Sequence, residues 1–490
     1  MNLKKLLSQI NIIHTTHDVD KIDIHALAYD SRKVGKNDLF VAIRGYVTDG
    51  HLFLQSAANN GAQAAIVEEI DESVNIPQIQ VDNSRLALAI IADQFYRHPS
   101  RQMQTIGVTA TNGKTTTSYM INEVLENAHF KTGVVGSVNV KVGNHYEPAE
   151  LTTPESLDLQ AYFHEMQEAQ VTHAIMEVSS AAQELYRVAA IHYDIVTLNN
   201  INKEHIDTHG SFENYVAQKT KLIKQAPKDS IAILNLDCQE AKDLRSETDA
   251  HVITFALDNK HADFTVENLD LSTGRAQFDV QLNKEIKLNG NTLKPMTFRM
   301  ELGVPGLHSV SNSMIAIIIG LINDIAIESI QTSLKAFNGV HRRFQFIHEG
   351  DFTVIDDHFA NPGNINVTLE TLSLMDYRHL KLLYAIRGNR GAEVNEDNAN
   401  TLVKWAPRLG LKEVYVTRSQ SDVTDKDKVT DEEYEAFVTI LHDHGIQTID
   451  FDELDDSIQA IIKEVGTDDL LLLAGCQGMD EGAKYLHQYV

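Results

Sequence analysis

Cysteine is almost absent. Only Cys238 and Cys476 occur in 490 residues, too few and too far apart for a disulfide framework, which points to a reducing compartment. Long apolar runs are missing as well, and nothing approaches the roughly 20 residues that span a bilayer. The first residues, MNLKKLLSQINIIHTTHDVD, have lysines and leucines, but Ser8, Gln9 and Asn11 break the apolar run. They make a poor signal peptide, so a cytoplasmic protein without membrane insertion is expected. Positive charge is the third shortage. With 42 Lys and Arg against 69 Asp and Glu, the net charge is −27, which argues against nucleic acid as a partner. It also makes any local convergence of cations informative. No internal repeat and no low-complexity tract is found. What remains, 43% apolar and 23% charged residues, is the composition of a soluble globular protein, and the length suggests about three domains.

The chain is organised around TIGVTATNGKTTT, Thr105 to Thr117. Ile106 and Val108 read as a strand that stops at small and polar residues. Met120, Ile121, Val124 and Leu125 then fall on one face of a helix. Strand, tight loop and helix N-terminus make an anion site, because free backbone N–H groups and the helix dipole converge there. Lys114 adds a charge suited to β- and γ-phosphates, and Thr115 a hydroxyl suited to Mg²⁺. An ordinary βα turn with a solvated lysine is the plain alternative. The strict P-loop spacing is not met, since Val108 stands six residues before Lys114 where glycine is required.

Residues up to about 100 read as a small α/β unit. A strand is expected over 38–43, a helix from Gly50 stopped by Asn60-Gly61, a strand over 64–67 and a helix over 84–96. From 101 to 340, strands at 105–109, 133–138, 173–178, 193–198, 230–235 and 251–255 alternate with helices, the pattern of a parallel sheet covered on both faces. The stretch 262–302 reads as an inserted antiparallel meander, and 312–322 as a buried helix. Beyond Arg343, strands at 352–355, 381–386, 413–417 and 470–474 predict a second, Rossmann-like sheet. The charged stretch 422–433 reads as a solvated loop and helix start. The expected domains are 1–101, 102–340 and 341–490.

Doubly wound sheets place ligands at the C-terminal ends of their strands, and three polar clusters fall there. Glu177 ends the strand Ala174-Ile-Met176 and is placed to reach a metal, although such a residue equally caps a helix or pairs on a surface. Glu204, His205, Asp207 and His209 crowd one loop, fitting a metal or phosphate site or a polar capping loop. Lys219 lies on a helix beginning after Ser211, where a lysine is ordinarily solvated.

Together these motifs resemble the Mur ligases, the ATP-dependent family that adds amino acids to UDP-N-acetylmuramoyl peptides, and the MurE type in particular. The resemblance runs from Asp30 to Gly478. Asp30-Ser-Arg-Lys-Val34, Asn37-Asp-Leu-Phe40 and Asp49-Gly-His51 resemble the uridine-nucleotide domain, which implies Ser31 and Arg32 at the UDP moiety. TATNGKTTT is similar to the family's TGTNGKT loop, which does not keep the strict P-loop spacing; this implies Thr111, Asn112, Gly113, Lys114, Thr115 and Thr116 at ATP. Leu151-Thr-Thr-Pro-Glu155 matches the TTPE segment, implying Thr152 and Thr153, with Ser179 and Arg187, at the muramoyl peptide. The resemblance also implies Thr115, Glu177 and His205 at two Mg²⁺ ions, and Lys219 as a lysine carbamylated by CO₂. Arg343, in Gly339-Val-His-Arg-Arg-Phe344, would be the arginine between domains, and Asp357 the aspartate near the ATP ribose and phosphate. The HRRF form is closer to the MurC type. The implied partners are small molecules (ATP, a UDP-muramoyl peptide, an amino acid) acting on a monomer.

Several motifs depart from the family. Ala110 stands where the loop has glycine, so a methyl group is expected to crowd the phosphates. Glu177-Val-Ser-Ser-Ala181 and Asp357-His-Phe-Ala-Asn-Pro362 each lack a histidine. Glu204-His-Ile-Asp207 varies the DHxD segment, and Ser309 replaces an asparagine. The DNPR-type motif for the added diamino acid is replaced by Thr417-Arg-Ser-Gln-Ser-Asp422, and the late GKGHE segment reads Gly475-Cys-Gln-Gly-Met-Asp480. The expectation is an amide-bond ligase using a different amine or carboxylate. The alternatives are a degenerate protein that binds nucleotide or UDP-muramoyl peptide without ligation, and a ligase outside cell-wall synthesis.

Overall fold

Alternating apolar strands and amphipathic helices assemble into three parallel or mixed sheets in the computed structural model, which describes residues 1–45, 48–202, 209–288, 290–339 and 342–490. Contacts group the chain into two compact units. The first holds Met1–Thr265, Asn283–Lys294 and Met314–Ala326; the second holds Val266–Leu282, Pro295–Ser313 and Ile327–Val490.

In the first unit, an N-terminal sheet orders its strands His14–Thr15, Gln78–Gln80, Ala62–Val67, Asp38–Val41 and Leu27–Ala28, the first pair antiparallel and the rest parallel. The chain from Gly50 enters as a 3₁₀ turn, Gly50–Phe53, before the α-helix Leu54–Asn60. Gly61 ends that helix at φ +112°, a left-handed stop that glycine adopts without steric cost. Asn83 starts the next helix, Ser84–Phe95, by accepting the Leu86 N–H.

The larger sheet of this unit runs His251–Ala256, Ile231–Asn235, Ile195–Leu198, Gln104–Thr109, His173–Glu177 and Thr132–Val135, all parallel. His173–Glu177 is buried along its whole length, as expected of a central strand covered on both faces. Two differences from the sequence reading concern this sheet. The strand expected to reach residue 138 stops at Val135, and an antiparallel hairpin, Asn139–Val142 with His145–Pro148, extends the edge. Its outer strand is fully exposed and carries little apolar signal. In the expected meander, Phe264–Asp270 pairs parallel to His251–Ala256, while Arg275–Leu282 with Met296–Pro305, and Ile286–Leu288 with Asn291–Leu293, are antiparallel.

The buried helix begins at Leu307, five residues before the expected start, and runs to Ile322. Ser309 and Ser313 fit its first turns because their hydroxyls donate to the carbonyls of Pro305 (2.5 Å) and Val310 (2.8 Å).

In the second unit, six strands lie in the order Gln345–Glu349, Thr353–Asp357, Leu470–Gly475, Leu380–Ala385, Glu413–Thr417 and Gln447–Phe451; the first is antiparallel to its neighbour and the others parallel. The charged stretch leads into the helix Asp431–Asp443, opened by a Thr430–Glu433 capping box. Arg342 is buried. It donates to the carbonyls of Gly475 (2.6 Å) and Cys476 (2.9 Å), and pairs with Asp356 (3.2 Å) and Asp480. Arg342→Leu strips a buried carboxylate of this guanidinium and two carbonyls of their donor. It should destabilise the protein by about 3–5 kcal/mol, whereas Arg343→Leu, at an exposed position, should stay within about 0.5 kcal/mol. Chemical denaturation of both variants measures the difference.

Candidate functional site

The strand Gln104–Thr109 delivers the chain to a four-residue loop, and the helix Lys114–Asn127 departs from it. The helix starts where the sequence places it because Met120, Ile121, Val124 and Leu125 all bury their side chains. Gly113 precedes it at φ +87°, a conformation that side-chain-bearing residues rarely adopt. The loop is pinned by the next strand's end. Thr111 N donates to the Asn200 carbonyl (2.9 Å), while Asn112 and Asn200 exchange two hydrogen bonds of 3.0 Å. Lys114 curls over the loop, its Nζ donating to the carbonyls of Ala110 and Thr111, both at 3.0 Å. Ala110 is buried and has no positive φ, so its methyl group imposes no backbone strain. Thr116 is half-buried on the helix's first turn.

Glu177 is fully buried at the end of its strand. Its carboxylate accepts from Thr115 Oγ1 (3.0 Å), Ser137 N (3.0 Å) and Ser137 Oγ (3.1 Å). Burial first, and then this carboxylate, push Tyr119 up to about 12. Ser137 was not foreseen; its only sequence signal is a position just past a strand beside that of Glu177. Gly136 matters for a steric reason, since a Cβ there would sit 2.3 Å from Glu177 Oε1. Gly136→Ala should therefore displace the carboxylate and cost about 1–3 kcal/mol, read as a lower denaturation midpoint.

Lys219, on the helix Phe212–Lys224, is 2% exposed. Its Nζ donates to the same Ala110 carbonyl (2.9 Å) and lies 5.0 Å from the Tyr215 ring centre. Tyr215 in turn shares a 2.8 Å hydrogen bond with Thr111 Oγ1. Thus Lys114, Lys219, Thr152, Ser179, Ser180, Ala181, His209 and Tyr215 wall one cavity of about 200 Å³. Thr152 shares a 3.0 Å hydrogen bond with Ser137 Oγ, and Thr153 Oγ1 donates to the Glu177 carbonyl (2.8 Å). Arg187 sits just behind, donating to the Thr153 carbonyl (3.1 Å) and pairing with Glu155 (2.8 Å), which also holds Arg85 (3.0 Å).

Among the described residues of the first unit, Ser31 and Arg32 do not line this cavity. Ser31 is buried under Asn60, and Arg32 is exposed and clasped to Asp30 at 2.7 Å, which holds that carboxyl down at about 2. His205 lies outside the described residues, as do Glu204 and Asp207. Among the described residues no three His, Cys, Asp or Glu side chains converge as a metal site. In the second unit, Asp357 is buried and accepts from Phe344 N (2.9 Å) and from Thr368; burial raises its pKa. Arg343 is exposed beside it. Burial, then the charges of Arg343, Arg342 and Arg387, push His358 down to about 3, so cations gather at this strand end. Arg387 was not anticipated, because nothing in its sequence context marks it.

Three family descriptions match the chain: Mur ligase family, catalytic domain, over residues 23–96; Mur ligase middle domain, over 108–320; and Mur ligase, glutamate ligase domain, over 342–477. A UDP-N-acetylmuramoyl-L-alanyl-D-glutamate–2,6-diaminopimelate ligase of Bacillus velezensis is 34% identical over 413 residues, 83% of this chain and 82% of the relative. The chain belongs to the Mur ligase family. The enzyme of the same name from Halalkalibacterium halodurans is 31% identical over 92% of this Mur ligase and 89% of its own length. Solved structures agree in fold. One of a UDP-N-acetylmuramoyl-L-alanyl-D-glutamate–2,6-diaminopimelate ligase gives a TM-score of 0.71 at 20% identity, covering 98% of this chain and 94% of that one. MurF ligase from Thermotoga maritima in complex with ADP gives 0.61 at 18% identity, covering 95% and 99%. The three family domains correspond to the N-terminal sheet, the central sheet and the C-terminal sheet. Among the described residues no helix is long and apolar enough to cross a membrane.

Proposed function

We propose that this Mur ligase joins an amino acid to a UDP-N-acetylmuramoyl peptide, driven by ATP through an acyl phosphate. The observation that carries the reading is the 200 Å³ cavity, where Lys114 at a helix N-terminus, Lys219, Thr152 and Ser179 meet. Backbone N–H groups of 113–116 at the helix N-terminus and the Lys114 ammonium would hold the β- and γ-phosphates of ATP, with Thr111 and Asn112 fixing the loop around them. Thr152, Thr153, Ser179 and Arg187 would orient the muramoyl peptide so that its carboxylate meets the γ-phosphate, with Ser31 and Arg32 at the uridine end. The resemblance assigns Arg343 and Asp357, both in the second unit, to ATP as well. Catalysis would be mainly positioning and charge neutralisation.

Two Mg²⁺ ions would supply charge compensation between ATP and the substrate carboxylate. The residues fit them: Glu177 is a buried carboxylate held by neutral donors, the hard oxygen ligand that Mg²⁺ prefers. Thr115 stands beside it, and His205 is assigned by resemblance. Carbamylation of Lys219 would turn a buried cation into an oxygen ligand, and the carbamate N–H would keep the bond to the Ala110 carbonyl.

The amine is expected to differ from that in the relatives' names. In the segment that replaces the diamino-acid motif, Arg418 pairs with Asp431 (2.7 Å) and stacks on Tyr434 (4.1 Å), while Asp422 accepts from the Tyr485 hydroxyl (2.7 Å). These internal contacts leave the segment poorly placed to grip a second ammonium-carboxylate head. We place the enzyme in the cytoplasm, acting as a monomer. Mixing ATP, Mg²⁺ and UDP-N-acetylmuramoyl-L-alanyl-D-glutamate with single amino acids, 2,6-diaminopimelate included, tests the reading. ADP release that requires both the peptide and one amine is expected. ADP release that ignores both would contradict it.

A further inference from the structure

A chain of contacts runs through the cavity wall from Ser180 to His209 and Glu184. His209 is buried, with its side chain 1% exposed. Its Nε2 lies 2.9 Å from Ser180 Oγ. Its Nδ1 lies 2.9 Å from Glu184 Oε2, close but without the alignment of a hydrogen bond. Asn214 Nδ2 fixes the backbone by donating to the His209 carbonyl (2.9 Å). Ser180 and Glu184 share the short helix that follows Glu177's strand, so the same turn that presents Ser179 and Ser180 to the cavity also carries the carboxylate behind the imidazole.

We propose that Ser180, His209 and Glu184 form the path by which the attacking amine loses its proton in the amide-forming step; this rests on the ligase reading above. When the amine nitrogen bonds to the acyl-phosphate carbon and the C–O bond to phosphate breaks, the nitrogen must shed one proton. Ser180 Oγ takes it while passing its own hydrogen to His209 Nε2, and the resulting imidazolium is balanced by Glu184; phosphate leaves with the bonding electron pair. Among the described residues, the other titratable groups facing this imidazole are Lys114 and Lys219 across the cavity and Tyr215, whose ring centre is 5.5 Å away. An ammonium or a phenol ordinarily keeps its proton at neutral pH and a metal-binding carbamate is a weak base, whereas an imidazole exchanges a proton there. Among the described residues lining the cavity His209 is the one imidazole, because position 181 is alanine. Ser180 is the group that meets the substrate; His209 and Glu184 act through it as positioning residues.

The test separates the two chemical steps. With ATP, Mg²⁺ and UDP-N-acetylmuramoyl-L-alanyl-D-glutamate, hydroxylamine traps acyl phosphate as hydroxamate; adding the amino acid that wild type accepts measures amide formation. His209→Gln and Ser180→Ala should slow amide formation by about 100-fold while hydroxamate still accumulates. The acid limb of the pH profile for amide formation should change in His209→Gln while that for hydroxamate formation does not. Glu184→Gln, at a half-buried surface position that does not threaten the core, should shift that limb and lower the rate less. Parallel loss of hydroxamate and amide, or an unchanged amide rate and pH limb, overturns the proton path alone. Wild type that gives neither product removes the ligase reading, and this proposal with it.

Discussion

Lys114→Ala should lower ATP turnover by about 10²–10³-fold, the usual loss when one preorganised charge donor is removed from a developing anion. Lys114 is half-buried at the first turn of its helix, and its Nζ donates to the Ala110 and Thr111 carbonyls, 3.0 Å each. Both acceptors are in the same loop, so truncation removes local hydrogen bonds worth about 1 kcal/mol each and leaves the apolar face of the helix packed. Stability should change little while turnover collapses. Steady-state ADP release together with a denaturation curve checks both halves. A variant with near-normal turnover would remove the phosphate-binding assignment.

Lys219→Ala has the other large effect, and its reason is different. A lysine that is 2% exposed beside the Ala110 carbonyl has been taken out of water in a wall that also carries Lys114. If it bears a carbamate, the side chain supplies an oxygen pair where the nucleotide's metal is needed. Truncation should then abolish ligation, to below about 1% of wild type. Formate or acetate should restore part of the rate by placing a free carboxylate in the vacated volume. Wild-type ligation in Lys219→Ala would end the carbamate assignment. Loss without rescue by either acid would leave Lys219 as a structural cation.

Much of this architecture was legible because burial writes itself into periodicity. The loop and helix around Lys114, the strand ending in Glu177 and the parallel strands of both larger sheets follow from apolar runs and turn residues. The hairpin at 139–148 was not legible, since an exposed edge strand has no buried face to reveal it. Nor was the inward member of the Arg342–Arg343 pair: adjacent residues point to opposite sides, and nothing local says which side is the core. The contact between Ser180 and His209 spans 29 residues and arises only when two helices meet. His209 was visible as one of several polar residues in a loop, without its partners. Ser137 was invisible for the same reason, because its role depends on a carboxylate from the neighbouring strand.

The central claim is that an amide forms through an acyl phosphate in this cavity, and the path of one oxygen tests it most directly. UDP-N-acetylmuramoyl-L-alanyl-D-glutamate labelled with ¹⁸O in its carboxylates is incubated with ATP, Mg²⁺, the protein and an accepted amino acid. Mass spectrometry then reads both products. Ligation predicts a new amide heavier by the amino acid less water, and inorganic phosphate carrying one ¹⁸O from the carboxylate. Tight binding of the labelled peptide with no amide and no labelled phosphate, whichever amine is supplied, would contradict it and leave a protein that binds its ligand without joining it to anything.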